Sequence, residues 1–481
     1  MRLADGDFDV LVVGGGVSGL ATAYEAAQRG LSVALVERGD FGSATSFNHL
    51  KTIHGGLRYL QSADFTRMRE SIRERRAFAR IAPRFVAPLP FVMPTSLSLT
   101  RNALVMRMAF AIDARVGFDR NAGLDAAHRL RPGRIVSSQE ACELLEDIAP
   151  RGVGSSAVWY DYQTTRGDRL TLSFAIAAAN HHAALANYTE ATGLQRAHGH
   201  GASAVSAKDV LTGERFDIKT RIIVNAAGPW APTFLRECGV QAAWPMLKAM
   251  NLVTSRPAAK AALVAQTRHG RALVALPWQG RTLVGTSESA SEHAAGDQAA
   301  VRAEVAAFLD EVNETFPQLG LRPDEVTLVH RGIVPAVKRG GRLSLLGDSR
   351  IIDHGPDGTP EVISVVGVKY TTARGVAERA VDLVFTKLGR PAAQSRTADL
   401  MLPGASMTDT DPEDPVLHAV REEMAQTLTD VVLRRTGIGA AGHPGEKAAA
   451  LHASAMQKAL GWSDDRRNRE LENLERFYEL T

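Results

Sequence analysis

The chain has few of the features that mark several large classes of protein. Its 481 residues include only two cysteines, Cys142 and Cys238, which excludes a disulfide framework and argues against a cysteine metal site. No apolar run reaches the roughly 18 residues needed to cross a bilayer. The net charge is only +3, which argues against general nucleic-acid binding. We therefore expect no nucleic-acid partner, no metal and no membrane-spanning helix.

The overall composition is that of a globular protein. Apolar residues make up 45% and charged residues 23%, and the length predicts two or three domains. The first apolar run leads directly into a glycine cluster, a pattern that differs from a signal peptide. These features predict a cytoplasmic protein, which could still lie on the inner face of the cell membrane, and they leave a homodimer open.

A glycine-rich segment near the N-terminus has the pattern of a dinucleotide-binding turn. Val10–Val13 predicts a buried parallel strand and residues 21–28 predict a helix, with Gly14, Gly16 and Gly19 between them. In such a turn the first glycine permits the bend and the second lets the backbone approach a pyrophosphate. The third lets the helix pack close to the strand. The N-terminus of that helix would bind the phosphates.

A carboxylate stands where such a domain needs one. A second predicted strand, Leu31–Val36, ends at Glu37, and this spacing fits a carboxylate that binds the ribose hydroxyls. An acid at this position disfavours the 2′-phosphate of NADP. These residues alone leave NAD and FAD open, as well as a glycine turn that binds nothing.

Later motifs distinguish between the cofactors by resemblance. The motifs are Ala44-Thr45-Ser46, Lys51-Thr-Ile-His54-Gly55-Gly-Leu-Arg58-Tyr59-Leu60, Asn225-Ala-Ala227-Gly228-Pro-Trp230, Leu276-Pro-Trp278 and Gly367-Val-Lys369-Tyr370-Thr371-Thr372. With these motifs the chain resembles the FAD-dependent glycerol-3-phosphate dehydrogenases and oxidases, a branch of the D-amino-acid-oxidase-like flavoproteins. The resemblance covers most of the chain. It implies FAD as cofactor, and a small anionic substrate as partner.

The resemblance implies an α/β fold of three parts. These are a Rossmann-like FAD-binding domain of the glutathione-reductase or D-amino-acid-oxidase type, an antiparallel-sheet substrate domain and a C-terminal helical cap domain. We expect residues 1–80, 150–240 and 345–395 in the first, 81–149 and 241–344 in the second, and 400–481 in the third.

The resemblance also implies the reaction and the residues that perform it. The implied reaction oxidises sn-glycerol 3-phosphate to dihydroxyacetone phosphate by hydride transfer to flavin N5, with a quinone or oxygen as the electron acceptor. His54 is the candidate base, or a residue that only orients the cofactor. Arg58, with Arg350 and Tyr59, is expected to bind the substrate anion, and Lys369 to stabilise the reduced flavin or contact substrate. Cofactor contacts are expected from Gly14, Gly16, Ser18, Gly19, Glu37, Ala44, Thr45, Ser46, Lys51, His54, Gly55, Ala227, Gly228, Trp230, Gly367, Lys369, Tyr370 and Thr371.

One departure from the family pattern concerns the substrate. The family usually has Gly-Val-Arg-Pro where this chain has Gly332-Ile-Val334-Pro335, and the missing arginine is a phosphate ligand there. Arg331 lies three residues away, which in a strand points to the opposite face. An alternative is therefore an FAD-dependent oxidase or dehydrogenase of another anionic hydroxy compound or amine, such as a 2-hydroxy acid, an amino acid or a phosphonate. A non-enzymatic flavin- or nucleotide-binding protein is the third hypothesis.

An arginine-rich segment, residues 62–81, predicts a helix with two interpretations. Its arginines form either a solvated helix face or a contact with anionic lipid headgroups.

Overall fold

The fold begins with the predicted N-terminal pattern, which is a strand, the glycine turn, a helix and a second strand. The computed structural model describes residues 3–96, 101–150, 152, 154–196 and 203–481. The strands are β1 Asp7–Val13, β2 Val33–Val36, β3 Thr52–Ile53, β4 Val86–Pro94, β5 Arg134–Ser137, β6 Ser155–Thr164, β7 Ala184–Ala186, β8 Thr189–Gln195, β9 Ser203–Asp209, β10 Arg215–Asn225, β11 Met246–Pro257, β12 Ala262–Gln266, β13 Ala272–Trp278, β14 Arg281–Glu288, β15 Val326–Arg339, β16 Arg342–Leu345, β17 Arg350–Asp353 and β18 Val362–Val366. The helices are α1 Val17–Gln28, α2 Phe65–Ile81, α3 Ala103–Val116, α4 Ser138–Leu145, α5 Gly167–Asn180, α6 Ala231–Glu237, α7 Arg302–Thr315, α8 Ala373–Leu388, α9 Pro415–Glu422, α10 Glu446–Leu460 and α11 Asp464–Tyr478.

The first sheet positions the glycine turn. Its strands have the order β17-β18-β10-β1-β2-β7, and β1 pairs in parallel with both β10 and β2. Helices α1, α5 and α8 pack together over this sheet, where β-branched and leucine side chains of the strands form their shared core. Because the carboxyl ends of parallel strands meet at one edge, the loops after β1, β2, β10 and β18 converge there.

The second sheet is almost wholly antiparallel. Its order is β16-β15-β11-β14-β13-β12-β4-β6-β3, and the pairing of β12 with β4 is parallel. The C-terminal helices α9, α10 and α11 share a core with this sheet through buried side chains such as Trp278, Leu283 and Leu328. The expected fold class, a Rossmann-like domain with an antiparallel sheet and a C-terminal helical part, is confirmed.

Some elements differ from the sequence-based expectation. Strands β3 and β6 belong to the second sheet, although both lie in ranges predicted for the FAD-binding domain. Strand β6 pairs with both β3 and β4, so the chain crosses between sheets more often than the motifs indicate. The motif from Gly367 to Thr372 ends just before helix α8, which begins at Ala373. Residues 369–372 therefore form part of a loop at the edge of the first sheet.

The arginines of α2 serve ion pairs within the protein. Arg69 and Arg76 both pair with Asp119, while the buried Arg75 pairs with Asp161. Arg67 and Arg80 pair with other carboxylates of the chain. The sixth arginine of α2, Arg73, is exposed, as a solvated helix face predicts, and the lipid contact stays a prediction.

Candidate active site

A cavity of about 430 Å³ lies where the loops of the first sheet converge. Many residues predicted to bind the cofactor line it together, although they are far apart in the sequence. They are Gly14, Gly16, Ser18, Glu37, Ala44, Thr45, Ser46, Ala227, Gly228, Trp230, Gly367, Lys369 and Tyr370. The geometry thus assembles the separate motifs into one elongated site.

One end of the cavity is shaped by backbone that leaves no room for side chains. Gly14 has a φ of +107°, and a Cβ on it would lie 2.5 Å from the Ala226 carbonyl oxygen. A Cβ on Gly19 would lie 1.9 Å from the Gly14 carbonyl oxygen. Helix α1 begins here with no side-chain cap on Gly16 and no acid in its first turn. Its partial positive charge therefore favours the diphosphate of a dinucleotide.

Glu37 holds the turn together from the end of β2. Its Oε2 accepts a hydrogen bond from the Gly15 amide at 2.6 Å and its Oε1 accepts one from Gly39 at 2.7 Å. Burial raises the pKa of this carboxyl, and the two amide bonds oppose that effect. The carboxylate is thus fixed by backbone on the cavity wall, where a ribose hydroxyl can still reach its remaining lone pairs.

Another part of the cavity is closed by a strand of the second sheet and a loop of the first. Ile333–Pro335 of β15 form one wall and the loop from Gly367 forms another. A Cβ on Gly367 would lie 2.4 Å from Ser18 Oγ, so only glycine fits there without movement. His49 stacks on Tyr370 with ring centres 4.4 Å apart. This lining of apolar and aromatic side chains, narrow at Gly367, fits a flat ring system such as isoalloxazine.

Three residues predicted to act on the substrate, Arg58, Lys369 and His54, lie around the ring of Tyr59. The Lys369 Nζ lies 4.8 Å from the ring centre, and the Arg58 Cζ lies 5.5 Å from it. The His54 ring lies 6.4 Å away. Within the described residues the buried Tyr59 hydroxyl has no hydrogen-bond partner. Leaving a buried hydroxyl unpartnered costs about 1–3 kcal/mol, and a ligand can bond to this one only if the side chains that cover it move.

His54 is neutral at physiological pH. Its partly buried ring loses solvation, and the positive charges of Arg58, Lys369 and Arg75 add to this effect and lower its pKa to about 3. Its backbone amide donates to Thr371 Oγ1 at 3.2 Å, which ties the motif to the loop before α8. An imidazole with so low a pKa is a weak base, so it can accept a proton from a bound hydroxyl only when a bound anion offsets the neighbouring positive charges.

Positive charge exceeds negative charge around this cluster. Asp348 pairs with Arg67 and lies 3.7 Å from the Lys369 Nζ. Arg350, two residues later, is exposed and pairs across strands with Val366, the residue before Gly367. Arg58 is also exposed. The mouth of the site therefore attracts small anions.

Some predicted cofactor residues lie behind the cavity wall. Lys51 is fully buried between the rings of Phe47 and Trp278, and its ammonium donates to the Phe47 carbonyl. Its predicted contact with the cofactor is therefore replaced by support of the loop that carries Thr45 and Ser46. Gly19, Gly55 and Thr371 likewise lie behind the wall, packed against the turn, Arg75 and His54 respectively.

The position of the family arginine is occupied by Val334, and the nearby Arg331 does not replace it on the cavity wall. Val334 lines the cavity, whereas Arg331 turns to the other side of β15. There Arg331 Nε donates to the Gln298 carbonyl at 2.6 Å, and its guanidinium lies 5.4 Å from the Phe477 ring centre. The strand alternation that predicted this orientation is confirmed.

Sequence reasoning missed several residues of the site. His49, Arg38 and Thr189–Thr192 line the cavity, and Arg38 stacks over Trp230 at 4.5 Å. Arg38 follows the predicted Glu37 directly, which is a local signal for it. The threonine segment belongs to β8 of an antiparallel hairpin, and no motif in the sequence marks it.

Comparisons with known proteins agree with this architecture. A family model described as FAD dependent oxidoreductase matches residues 9–383. A second, described as the C-terminal domain of alpha-glycerophosphate oxidase, matches residues 405–467.

Relatives were also found by sequence. A glycerol-3-phosphate dehydrogenase of Synechocystis is 27% identical, over 98% of this chain and 96% of its own length. The mitochondrial glycerol-3-phosphate dehydrogenase of Bos taurus is 30% identical over 83% of this chain. That alignment spans only 55% of the bovine protein.

Solved structures share the fold. A glycerol-3-phosphate dehydrogenase from Bacillus halodurans, complexed with FAD, has a TM-score of 0.74 at 21% identity and covers 99% of this chain and 95% of its own. An L-alpha-glycerophosphate oxidase from Mycoplasma pneumoniae, with FAD bound, has a TM-score of 0.59 at 17% identity, over 83% of this chain and 99% of its own.

Proposed function

Because the chain belongs to the family of FAD-dependent oxidoreductases, we propose that it oxidises sn-glycerol 3-phosphate to dihydroxyacetone phosphate. The observation that carries the proposal is the cluster around Tyr59, where Arg58, Lys369 and the neutral His54 surround an unpartnered hydroxyl. FAD, when bound, supplies the acceptor for the hydride that leaves the substrate carbon. The names of the relatives support this substrate class.

Each residue of the cluster has a role in this proposal. The planar Arg58 guanidinium binds the phosphate through paired hydrogen bonds, and the Tyr59 hydroxyl donates to the same anion once the side chains that cover it move. His54 accepts the proton of the substrate hydroxyl as the carbonyl forms, because its imidazole is neutral. The Lys369 ammonium holds the substrate hydroxyl oxygen close to His54. Its positive charge favours loss of the proton from that oxygen.

Val334 favours a second candidate substrate class. An apolar wall replaces the family's phosphate-binding arginine, and Arg331 faces away. A smaller or singly charged anion would need fewer cations than a phosphate monoester. A 2-hydroxy acid, an amino acid or a phosphonate is therefore the alternative substrate of the same site.

An anaerobic titration tests both candidates. We expect the oxidised flavin band near about 450 nm to bleach on addition of sn-glycerol 3-phosphate. If that compound leaves the band unchanged while a 2-hydroxy acid or an amino acid bleaches it, the alternative is correct. If none of these compounds bleaches it, the protein binds flavin without this activity.

We also propose that α3 contacts an anionic membrane surface. Its outer face exposes Leu104 at 66%, Met108 at 60% and, just beyond the helix, Phe118 at 80%. Arg107 and Arg115 are exposed on the same helix, whereas its one acid, Asp113, is buried and paired with Arg120. An apolar face flanked by cations, with no exposed acid, complements anionic headgroups better than a second copy of itself.

This surface adjoins the substrate cluster, which suggests a lipid-soluble quinone as the electron acceptor. Helix α3 packs against the short helix Leu57–Ser62, which carries Arg58 and Tyr59. In the described part of the chain, no helix is both long and apolar enough to cross a bilayer, so the contact would be peripheral.

Vesicle sedimentation tests the membrane contact. We expect binding to phosphatidylglycerol vesicles, lost in the double variant Leu104→Gln/Met108→Gln. Leu451→Gln, which alters a leucine of α10 exposed at 70%, is the matched control and should bind normally. Binding that is absent in the wild type, or a wild-type dimer in solution that the double variant dissolves, contradicts the proposal.

A further inference from the structure

The C-terminal helical part of the chain meets the nucleotide end of the cavity at a buried ion-pair cluster. A short π-helical segment, Asp430–Arg435, places two arginines on Asp40. Arg434 Nε donates to Asp40 Oδ2 at 2.6 Å, and Arg435 donates to both Asp40 oxygens at 2.7 and 2.8 Å. The Asp40 side chain is fully buried, and the two guanidinium groups hold its pKa well below its usual range.

Asp40 belongs to the loop that shapes the cavity. It lies between Glu37 and the residues Ala44–Ser46, all of which line the cavity, although Asp40 itself is not on the wall. The Gly42 amide donates to the Gly15 carbonyl at 2.9 Å, and Ser46 Oγ accepts from the Val17 amide at 2.9 Å. The loop is therefore bonded at one side to the glycine turn and at the other to the C-terminal helices.

A second cavity loop is held by the same C-terminal segment. Asn187 Nδ2 donates to the Met424 carbonyl at 2.8 Å and to Asp40 at 3.2 Å. The Tyr188 hydroxyl donates to Asp430 at 2.9 Å. The next residue, Thr189, donates its amide to the Glu37 carbonyl at 2.7 Å and begins the threonine segment on the cavity wall.

We propose that this latch, defined as Asp40, Asp430, Arg434 and Arg435, positions both loops for the cofactor and so links FAD affinity to docking of the C-terminal helices. The four side chains balance two negative and two positive charges out of water, so the latch is satisfied only when both partners are in place. Loops that are already fixed lose less freedom when a ligand binds. By thermodynamic reciprocity, bound FAD must stabilise the docked C-terminal helices by the same factor.

The first test measures FAD binding without any substrate, so its outcome is separate from the proposed reaction. We expect Asp40→Asn to raise the Kd of the full-length apoprotein for FAD about tenfold or more, because charge-assisted bonds that fix the loop are lost. Arg166→Met is the matched control, since Arg166 joins the start of α5 to Asp411 at 2.6 Å and neither residue is bonded to the latch. Its Kd should stay within about twofold of the wild type.

The second test needs no variant and stands even if Asp40→Asn does not fold. Amide hydrogen exchange of wild-type residues 424–435, which do not line the cavity, should slow when FAD binds. In a folded Asp40→Asn protein, FAD should no longer slow the exchange of these amides. If the latch only stabilised the fold, FAD would leave their exchange rates unchanged in the wild type too. Unchanged exchange in the wild type overturns the proposal. So does an unchanged Kd in folded Asp40→Asn, or an equal weakening by Arg166→Met.

Discussion

The two ends of the cavity are built by different means. At the diphosphate end, glycines and amide groups shape the site, and Gly14, Gly19 and the N-terminus of α1 act through the backbone. At the proposed substrate end, long side chains act: Lys369 lines the cavity, and Arg58 and His54 lie with it around the Tyr59 ring without lining the cavity themselves. Backbone geometry binds a cofactor that is common to the family. Under the proposed function, side chains select the small anion, so that end can change without loss of the fold.

The largest expected effect is at the backbone end. In Gly19→Ala the new Cβ would lie 1.9 Å from the Gly14 carbonyl oxygen, so the turn must move. Overpacking of this kind costs about 3 kcal/mol, which is about a hundredfold in the Kd for FAD. Fluorescence titration of the apoprotein measures this value. Gly193→Ala, where a Cβ meets nothing within 4 Å, is the control. An unchanged Kd in Gly19→Ala would show that the backbone geometry of the glycine turn does not determine FAD binding.

At the substrate end, Arg58→Ala should weaken substrate binding while FAD stays bound. Loss of a charge-assisted bond costs about 1.5–3 kcal/mol, or about tenfold to a hundredfold in KM. Steady-state kinetics with sn-glycerol 3-phosphate measure it, and flavin content is checked by absorbance. Arg73→Ala, on the exposed side of α2, should behave as wild type. Equal effects of the two variants would mean that Arg58 does not bind the anion.

A gain of function would sharpen the comparison further. Val334→Arg restores a cation to the cavity wall and should lower KM for sn-glycerol 3-phosphate about tenfold if that is the substrate. Val334→Leu keeps the wall apolar and should give no gain. If the arginine variant binds the phosphate ester no better, Val334 does not set the anion preference.

The smallest effect concerns His54 and pH. The unfolded imidazole has a pKa of about 6.5, whereas the folded one is lowered to about 3. The unfolded chain therefore binds more protons between these values, and stability falls as the pH drops below about 6.5. His54→Gln should flatten this fall by at most about 1.4 kcal/mol per pH unit, less what solvent screening removes at a partly exposed ring.

Urea unfolding at several pH values measures that slope. The exposed His269→Gln variant is the control and should leave the slope as in wild type. A slope that does not change in His54→Gln would show that the imidazole is not held neutral by its cationic neighbours.

The sequence predicts the backbone end better than the substrate end. Glycine spacing and the acid at Glu37 locate the turn, because its geometry depends on residues close together in the chain. The sequence predicts that Lys51 contacts the cofactor, whereas it is buried between Phe47 and Trp278. That burial depends on a loop and a strand far apart in sequence. Thr189–Thr192 were missed for the same reason. The latch could not be predicted from the sequence, because Asp40 and Arg435 come into contact only when the C-terminal helices dock.

The central claim is that the Tyr59 cluster presents sn-glycerol 3-phosphate to the flavin. Anaerobic rapid mixing of the holoprotein with this compound tests it most directly, followed by absorbance near about 450 nm. The account predicts bleaching whose rate saturates with substrate, with a higher half-saturation concentration in Arg58→Ala and little change in limiting rate. A flavin that stays oxidised at every concentration, while a 2-hydroxy acid or an amino acid reduces it, would contradict the account.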